Sequence, residues 1–209
     1  MKDYLTIACR YQYEFTISKS QFICYLCPVK GLEDGQAFVS EIKQKHRDAT
    51  HNCYAIVGIP ASNEMRFSDD GEPTGTAGAP IHNAIVKNEL YGVAAVVTRY
   101  FGGIKLGAGG LVNAYSKATA EAIRASQIVT EKSAVVVSLA LTYSEYKLAK
   151  MYIYSTEHTL ISTEYDTGIT VTLAIPTANL ADFTAHFTEL MSGSSRISII
   201  EEKYIQFKK

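Results

Sequence analysis

Three short stretches of this chain hold the residue types from which chemistry can be built. Residues 67–78 read Phe-Ser-Asp-Asp-Gly-Glu-Pro-Thr-Gly-Thr-Ala-Gly and place Asp69, Asp70 and Glu72 within four positions. Hard cations take oxygen ligands, so three close carboxylates resemble the opening of a metal loop. The alternate ligand positions and distal glutamate of an EF-hand do not follow, however, and Asp-Gly is an ordinary turn dipeptide. A structural turn is the favoured reading, and no metal is expected.

Residues 98–111 read Thr-Arg-Tyr-Phe-Gly-Gly-Ile-Lys-Leu-Gly-Ala-Gly-Gly-Leu. They sit between an apolar strand pattern and a helical pattern, where the first backbone N–H groups of a helix lack partners and can meet an anion. Gly107, Gly109 and Gly110 would let that backbone approach a ligand closely. Arg99 and Lys105 would add positive charge, and Tyr100 and Phe101 could stack on a base. Neither G-K-[ST] nor G-x-G-x-x-G is present, so this is no standard phosphate or dinucleotide loop. The competing reading makes the glycines packing devices and the aromatics core.

The third stretch, residues 48–54, holds His51 and Cys53 two apart. On a strand they share a face, as a base and a nucleophile would. No third group that orients the base can be named, so a hydrogen-bonded structural His51 is favoured and no catalytic residue is assigned. All four cysteines, Cys9, Cys24, Cys27 and Cys53, lie in the first 53 residues of the chain. Cys24 and Cys27 form a C-x-x-C, but an offset of three on a strand sends their sulfurs to opposite faces. Reduced packing cysteines are expected, without disulfide, metal or cofactor.

The elements that must position these stretches can be read from periodicity. Strands are expected at 9–17, 20–27, 52–59 and 93–98, and helices at about 31–45, 77–88 and from the Gly-rich segment to 126. Residues 60–75 read as a loop. Beyond residue 130 the order is strand 134–141, helix 144–157, strands 160–165 and 169–175, a helix from Thr177, and strand 197–207. This βαββαβ order is that of a ferredoxin-like sandwich. The fold class is therefore α+β, with domains at 1–130 and 131–209. Nine of the 14 glycines lie between Gly71 and Gly110, which assigns any chemistry to the first domain.

Composition bounds the partners. The 209 residues are 47% hydrophobic and 20% charged, enough to bury a sizeable core. Net charge is −1 overall; residues 1–130 carry 13 Lys and Arg against 12 Asp and Glu, and the remainder 7 against 9. A polyanion would thus meet a local basic patch, not a basic domain. The N-terminal residues show no secretory pattern, and no apolar run approaches the roughly 18 residues of a membrane span. A cytoplasmic protein without membrane contact is expected.

Taken in order, Ala49 to Cys53, Phe67 to Pro73 running into Gly75 to Gly78, and Val97 to Gly103 through Gly109 to Tyr115 closely resemble the IMPACT family in its bacterial YigZ-type form. The resemblance covers residues up to about 126, and the second half looks like that family's C-terminal domain. It implies a two-layer α/β first domain resembling domain IV of elongation factor G, followed by a ferredoxin-like domain resembling domain V. The family is linked to control of translation in eukaryotes. The resemblance therefore implies a non-enzymatic, translation-associated module that binds RNA or the ribosome through its Gly-rich face. The alternative is an enzyme or sensor holding a phosphate-bearing small molecule or nucleotide at the Gly-rich helix start. Under either reading the binding residues are His51, Asp69, Asp70, Glu72, Arg99, Tyr100, Lys105, Gly107, Gly109 and Gly110.

Overall fold

The computed structural model describes residues 2–155, 158–193 and 196–206. The chain divides into two compact units, Asp3–Thr130 and a second that begins at Glu131.

In the first unit five strands form one antiparallel sheet in the order β2-β3-β6-β4-β5: β2 (Tyr11–Ile17), β3 (Ser20–Pro28), β6 (Val93–Tyr100), β4 (His51–Val57) and β5 (Met65–Ser68). The unbroken apolar run of β6 suits a strand buried on both faces, and it occupies the centre of the sheet. Ser18 and Lys19 join β2 to β3 with φ of 47° and 64°. Positive φ at both central residues matches the twist of a two-residue hairpin.

Alternate strand residues feed two cores. Phe22, Cys24, Cys53, Ala55, Ala95 and Val97 pack beneath α2 (Gly78–Lys87) and α3 (Gly107–Ala125). Tyr25, Cys27, Ile56, Ala94 and Val96 pack against Phe38, Val39 and Ile42 of α1 (Leu32–Lys45) on the opposite face. Helix α1 thereby adds a cover to the sheet-and-helix pair that forms the two expected layers. Cys24 and Cys27 fall in different cores, so strand geometry separates the C-x-x-C pair.

Two strands escape the sequence pattern. β5 lies inside the stretch expected to be a loop; it is a short edge strand with three exposed residues, so it shows no hydrophobic alternation. β1 (Tyr4–Ile7) is only four residues long, and it is held by Tyr91 N donating to Leu5 O at 2.9 Å.

The second unit follows β7 (Ile128–Leu141), α4 (Tyr143–Ser155), β8 (Thr159–Tyr165), β9 (Ile169–Pro176), α5 (Leu180–Leu190) and β10 (Ile197–Ile205). Its strands run β10-β7-β9-β8, all neighbours antiparallel, which is the ferredoxin-like arrangement. Val137, Leu139, Val171 and Leu173 pack against Ala149 and Ile153 of α4 and Phe183 and Phe187 of α5. The N-terminal cap of α4 is Thr142. Thr142 Oγ1 accepts from Glu145 N at 3.3 Å, and Glu145 Oε2 accepts from Thr142 N at 2.7 Å, a reciprocal capping box. A short 3-10 turn, Thr177–Asn179, whose Thr177 bonds Ser133 at 2.7 Å, leads into α5, which therefore starts at Leu180 and not at Thr177.

Candidate functional site

The register of the first sheet brings its chemistry to one end. His51 pairs with Arg99, Gln21 with Tyr100, and Tyr54 with Ser68. The starts of β3 and β4 and the finishes of β5 and β6 therefore lie side by side. The segments 69–78 and 101–110 both leave from this end, and Glu72 of the first bonds Arg99 and Tyr115, which flank the second.

Glu72 is buried, and its Oε1 accepts from Arg99 Nη1 at 2.7 Å and from Tyr115 Oη at 2.8 Å. The Arg99 guanidinium lies against the rings of Phe22 and Phe101, 5.4 and 5.3 Å from their centroids. Its Nη2 reaches Ser20 Oγ at 3.4 Å, while its Nε is buried without a partner. Arg99 is thus only 5% exposed, and its charge is spent on Glu72. This corrects its expected role as a free cation facing a ligand. Strand parity turns it inward with Val97 and Ala95, toward the loop that carries Glu72.

Asp69 serves α2. Its Oδ1 accepts from Ala77 N and Gly78 N, each at 2.9 Å, and its Oδ2 from Gly75 N at 2.8 Å. Burial pushes the carboxyl up, but these three N–H donors outweigh it and hold Asp69 below the usual carboxylate range. The protein's own carboxylate therefore fills the start of α2. Gly78 is there for packing, because a Cβ would lie 2.8 Å from the Ser68 backbone.

Asp70 positions His51. Its Oδ2 accepts from Asn52 N at 2.7 Å and its Oδ1 from Lys43 Nζ at 2.5 Å. With φ at 44°, Asp70 turns its carbonyl onto His51 Nδ1 at 2.8 Å. A carbonyl only accepts, so the network assigns the proton to Nδ1. His51 Nε2 is then left 3.8 Å from Glu72 Oε2. This supplies the orienting group that the sequence could not name. Cys53 Sγ donates to Asp69 O at 2.9 Å, and burial pushes its thiol up to about 12, which keeps it protonated. Burial, then Cys53 and Glu72, likewise drive the Tyr115 phenol upward.

Tyr100 goes elsewhere. One residue beyond Arg99, it points to the α1 face, where His46 Nδ1 lies 2.9 Å from its hydroxyl and Asp48 Oδ1 accepts from it at 3.2 Å. Tyr25 Oη completes this second network at 2.7 Å from His46 Nε2. Burial, then Lys45, lowers the His46 pKa against the pull of Asp48. The expected stacking role of Tyr100 is thus replaced by a hydrogen-bonded one, and Phe101 is the exposed aromatic.

Lys105, just before α3, and Gly107 and Gly109 in its first turn are exposed. No side chain caps this helix start. A Cβ at Gly107 or Gly109 would meet nothing within 4 Å, whereas at Gly110 it would lie 3.0 Å from Leu106 Cβ. Tyr115, Ser20, Asn52 and Lys43 join the site without having been singled out. Tyr115 alone left a trace, a hydroxyl on the inward stripe of a helix. Among the described residues no group of three or more His, Cys, Asp or Glu is placed to hold a metal ion. No helix among them is long and apolar enough to cross a membrane.

Comparison with known proteins fits this architecture. A family model described as the Impact N-terminal domain matches residues 18–123, the unit that carries the site. A second, described as a domain of unknown function (DUF1949), matches residues 139–194. An IMPACT family member of Haemophilus influenzae is 36% identical over 203 residues, covering 96% of this chain and 98% of its own. IMPACT family member YvyE of Bacillus subtilis is 34% identical, covering 99% and 95%, and YigZ of Escherichia coli is 35% identical, covering 89% and 92%. A crystal structure described as that of a hypothetical protein superposes with a TM-score of 0.66 at 33% identity, over 97% of this chain and all of the other. With its site-bearing unit and its ferredoxin-like unit both accounted for, the chain belongs to the IMPACT family.

Proposed function

We propose that this protein is a translation-associated, non-enzymatic module of the cytoplasm that binds RNA or the ribosome through the Gly-rich end of its first unit. The observation that carries this reading is Gly109. It lies in the first turn of α3, its φ is not in the left-handed region, and a Cβ there would meet open space. Neither conformation nor packing requires glycine, which costs a helix about 0.5–1 kcal/mol relative to alanine. A bare backbone at that point suits the approach of a ligand. Phe101 and Ile104, 46% and 45% exposed, lie with Lys105 on the segment that leads into α3, offering a stacking surface and a charge. The buried Glu72–Arg99 pair then acts as the anchor beneath the loop.

Co-sedimentation with ribosomes at low and high salt tests this. Association at low salt that weakens steeply at high salt supports the reading, since phosphate contacts release counterions. No association at low salt sinks it.

A phosphate-bearing small molecule is the second reading, favoured by the difference between the two helix starts. Asp69 fills that of α2, while no side chain caps that of α3. Thermal-shift measurements with nucleotides and inorganic phosphate separate the two, a ligand at 100 times its Kd raising stability by about 2.7 kcal/mol.

A further inference from the structure

Two hydrogen-bond acceptors at the site face each other with no donor between them among the described residues. Glu72 Oε1 is satisfied by Arg99 and Tyr115, but Oε2 has only His51 Nε2 beside it, at 3.8 Å. His51 Nδ1 holds the ring proton on Asp70 O, so in the neutral ring Nε2 is an acceptor as well. The Glu72 side chain is 97% buried, since only 3% of it is exposed. A buried carboxylate oxygen beside a second acceptor wants a hydrogen from outside. The His51 side chain is 18% exposed, so the pair is approached from the His51 side.

We infer that His51 Nε2 and Glu72 Oε2 form a notch that accepts a hydrogen bond from a ribose 2′-hydroxyl and so distinguishes RNA from DNA. The inference rests on the RNA reading above and deepens it. Among the groups of a sugar-phosphate backbone only the 2′-hydroxyl can donate, and it is the group by which a protein tells RNA from DNA at a given position. Phosphate, an acceptor throughout, is repelled by the same pair. The notch is built to hold its geometry. Asp70 is fixed by Asn52 N and Lys43, and Gly71, at φ 87°, passes so close that a Cβ would lie 3.3 Å from His51 Nδ1. Beside Arg99, Phe101 supplies the exposed ring on which the adjoining base would stack.

Fluorescence anisotropy with one single-stranded RNA, the DNA of the same sequence and its 2′-O-methyl form tests the notch on the unaltered protein. The methylated strand keeps the 2′ oxygen and loses only its hydrogen. RNA is expected to bind roughly ten- to hundredfold tighter than either, the worth of one hydrogen bond to a charged acceptor. His51→Phe, with folding checked by thermal melting, should bring RNA down to the level of DNA. Equal binding of all three strands overturns the notch but leaves RNA binding standing. A preference for RNA that survives in His51→Phe overturns it too, because the discrimination then lies elsewhere. Binding of none of the three strands removes the RNA reading and the notch with it.

Discussion

Glu72 Oε1 and Arg99 Nη1 lie 2.7 Å apart between side chains that are 3% and 6% exposed, which makes them a buried ion pair joining an irregular loop to the central strand. Such a pair is poorly explained by stability alone, because desolvation offsets much of its attraction. Breaking it is a different matter.

Removing Arg99 should therefore destabilise the first unit severely. Arg99→Ala leaves Glu72 buried and uncompensated, at a cost of about 3–5 kcal/mol. Arg99→Met combined with Glu72→Met should recover much of that loss. Urea denaturation of the two variants checks both statements, and a stable, fully folded Arg99→Ala protein contradicts the first.

Acid should weaken the start of α2 through Asp69. Its carboxyl lies below the usual range in the folded protein, so folding is favoured by its ionised form. That contribution is complete above the ordinary carboxylate pKa of about 4 and is lost as pH falls through the lower folded value. Asp69→Ala removes three backbone hydrogen bonds and should cost about 1 kcal/mol at neutral pH, as cap deletions do. The variant and the parent should converge in stability toward pH 2. A gap that stays constant down to that pH argues against the mechanism.

The glycines should separate by role. At Gly102 a Cβ would come within 2.0 Å of the Lys19 backbone, so Gly102→Ala should cost about 1–3 kcal/mol or more. Gly109→Ala should leave stability unchanged or raise it by up to about 1 kcal/mol. It should nevertheless weaken ribosome or RNA association. Unfolding curves and the co-sedimentation assay, run on both variants, distinguish a packing glycine from an access glycine.

Thiol chemistry should single out Cys9. It is exposed, whereas burial pushes Cys24 and Cys53 up to about 12 and also raises Cys27. Thiolates are the reactive form. Iodoacetamide at mildly alkaline pH should give one rapid adduct by mass spectrometry, with the other three appearing only in denaturant. Fast labelling of Cys53 would show that the cluster around Tyr115 opens.

The elements with strong periodicity were legible in the sequence, and so was the concentration of glycines around the site. β6 announced itself by an unbroken apolar run, and α3 by its stripe through Leu111, Tyr115, Ala118 and Ala122. What stayed hidden depended on tertiary partners. β5 has three exposed residues on an edge and shows no alternation, and β1 is only four residues long. Arg99 looked like an available cation because its partner, Glu72, sits in a loop whose path no periodicity encodes. His51 lacked an orienting group for a related reason. That group is a backbone carbonyl, and a carbonyl leaves no mark on residue type.

β6 also sets how this protein can tolerate change. Arg99 and Tyr100 are adjacent, yet each completes a different network, one with Glu72 under α3 and the other with His46 beside α1. Asn52 bridges the two, accepting from Thr98 Oγ1, donating to His46 O and bonding Asp70 through its backbone N–H. Side chains on a strand alternate with a period of two. Losing or gaining one residue in β6 would drive the guanidinium toward His46 and the phenol toward Glu72, disabling both networks in a single step. Losing or gaining two would preserve parity and shift only the reach. The central strand thus admits length changes only in pairs.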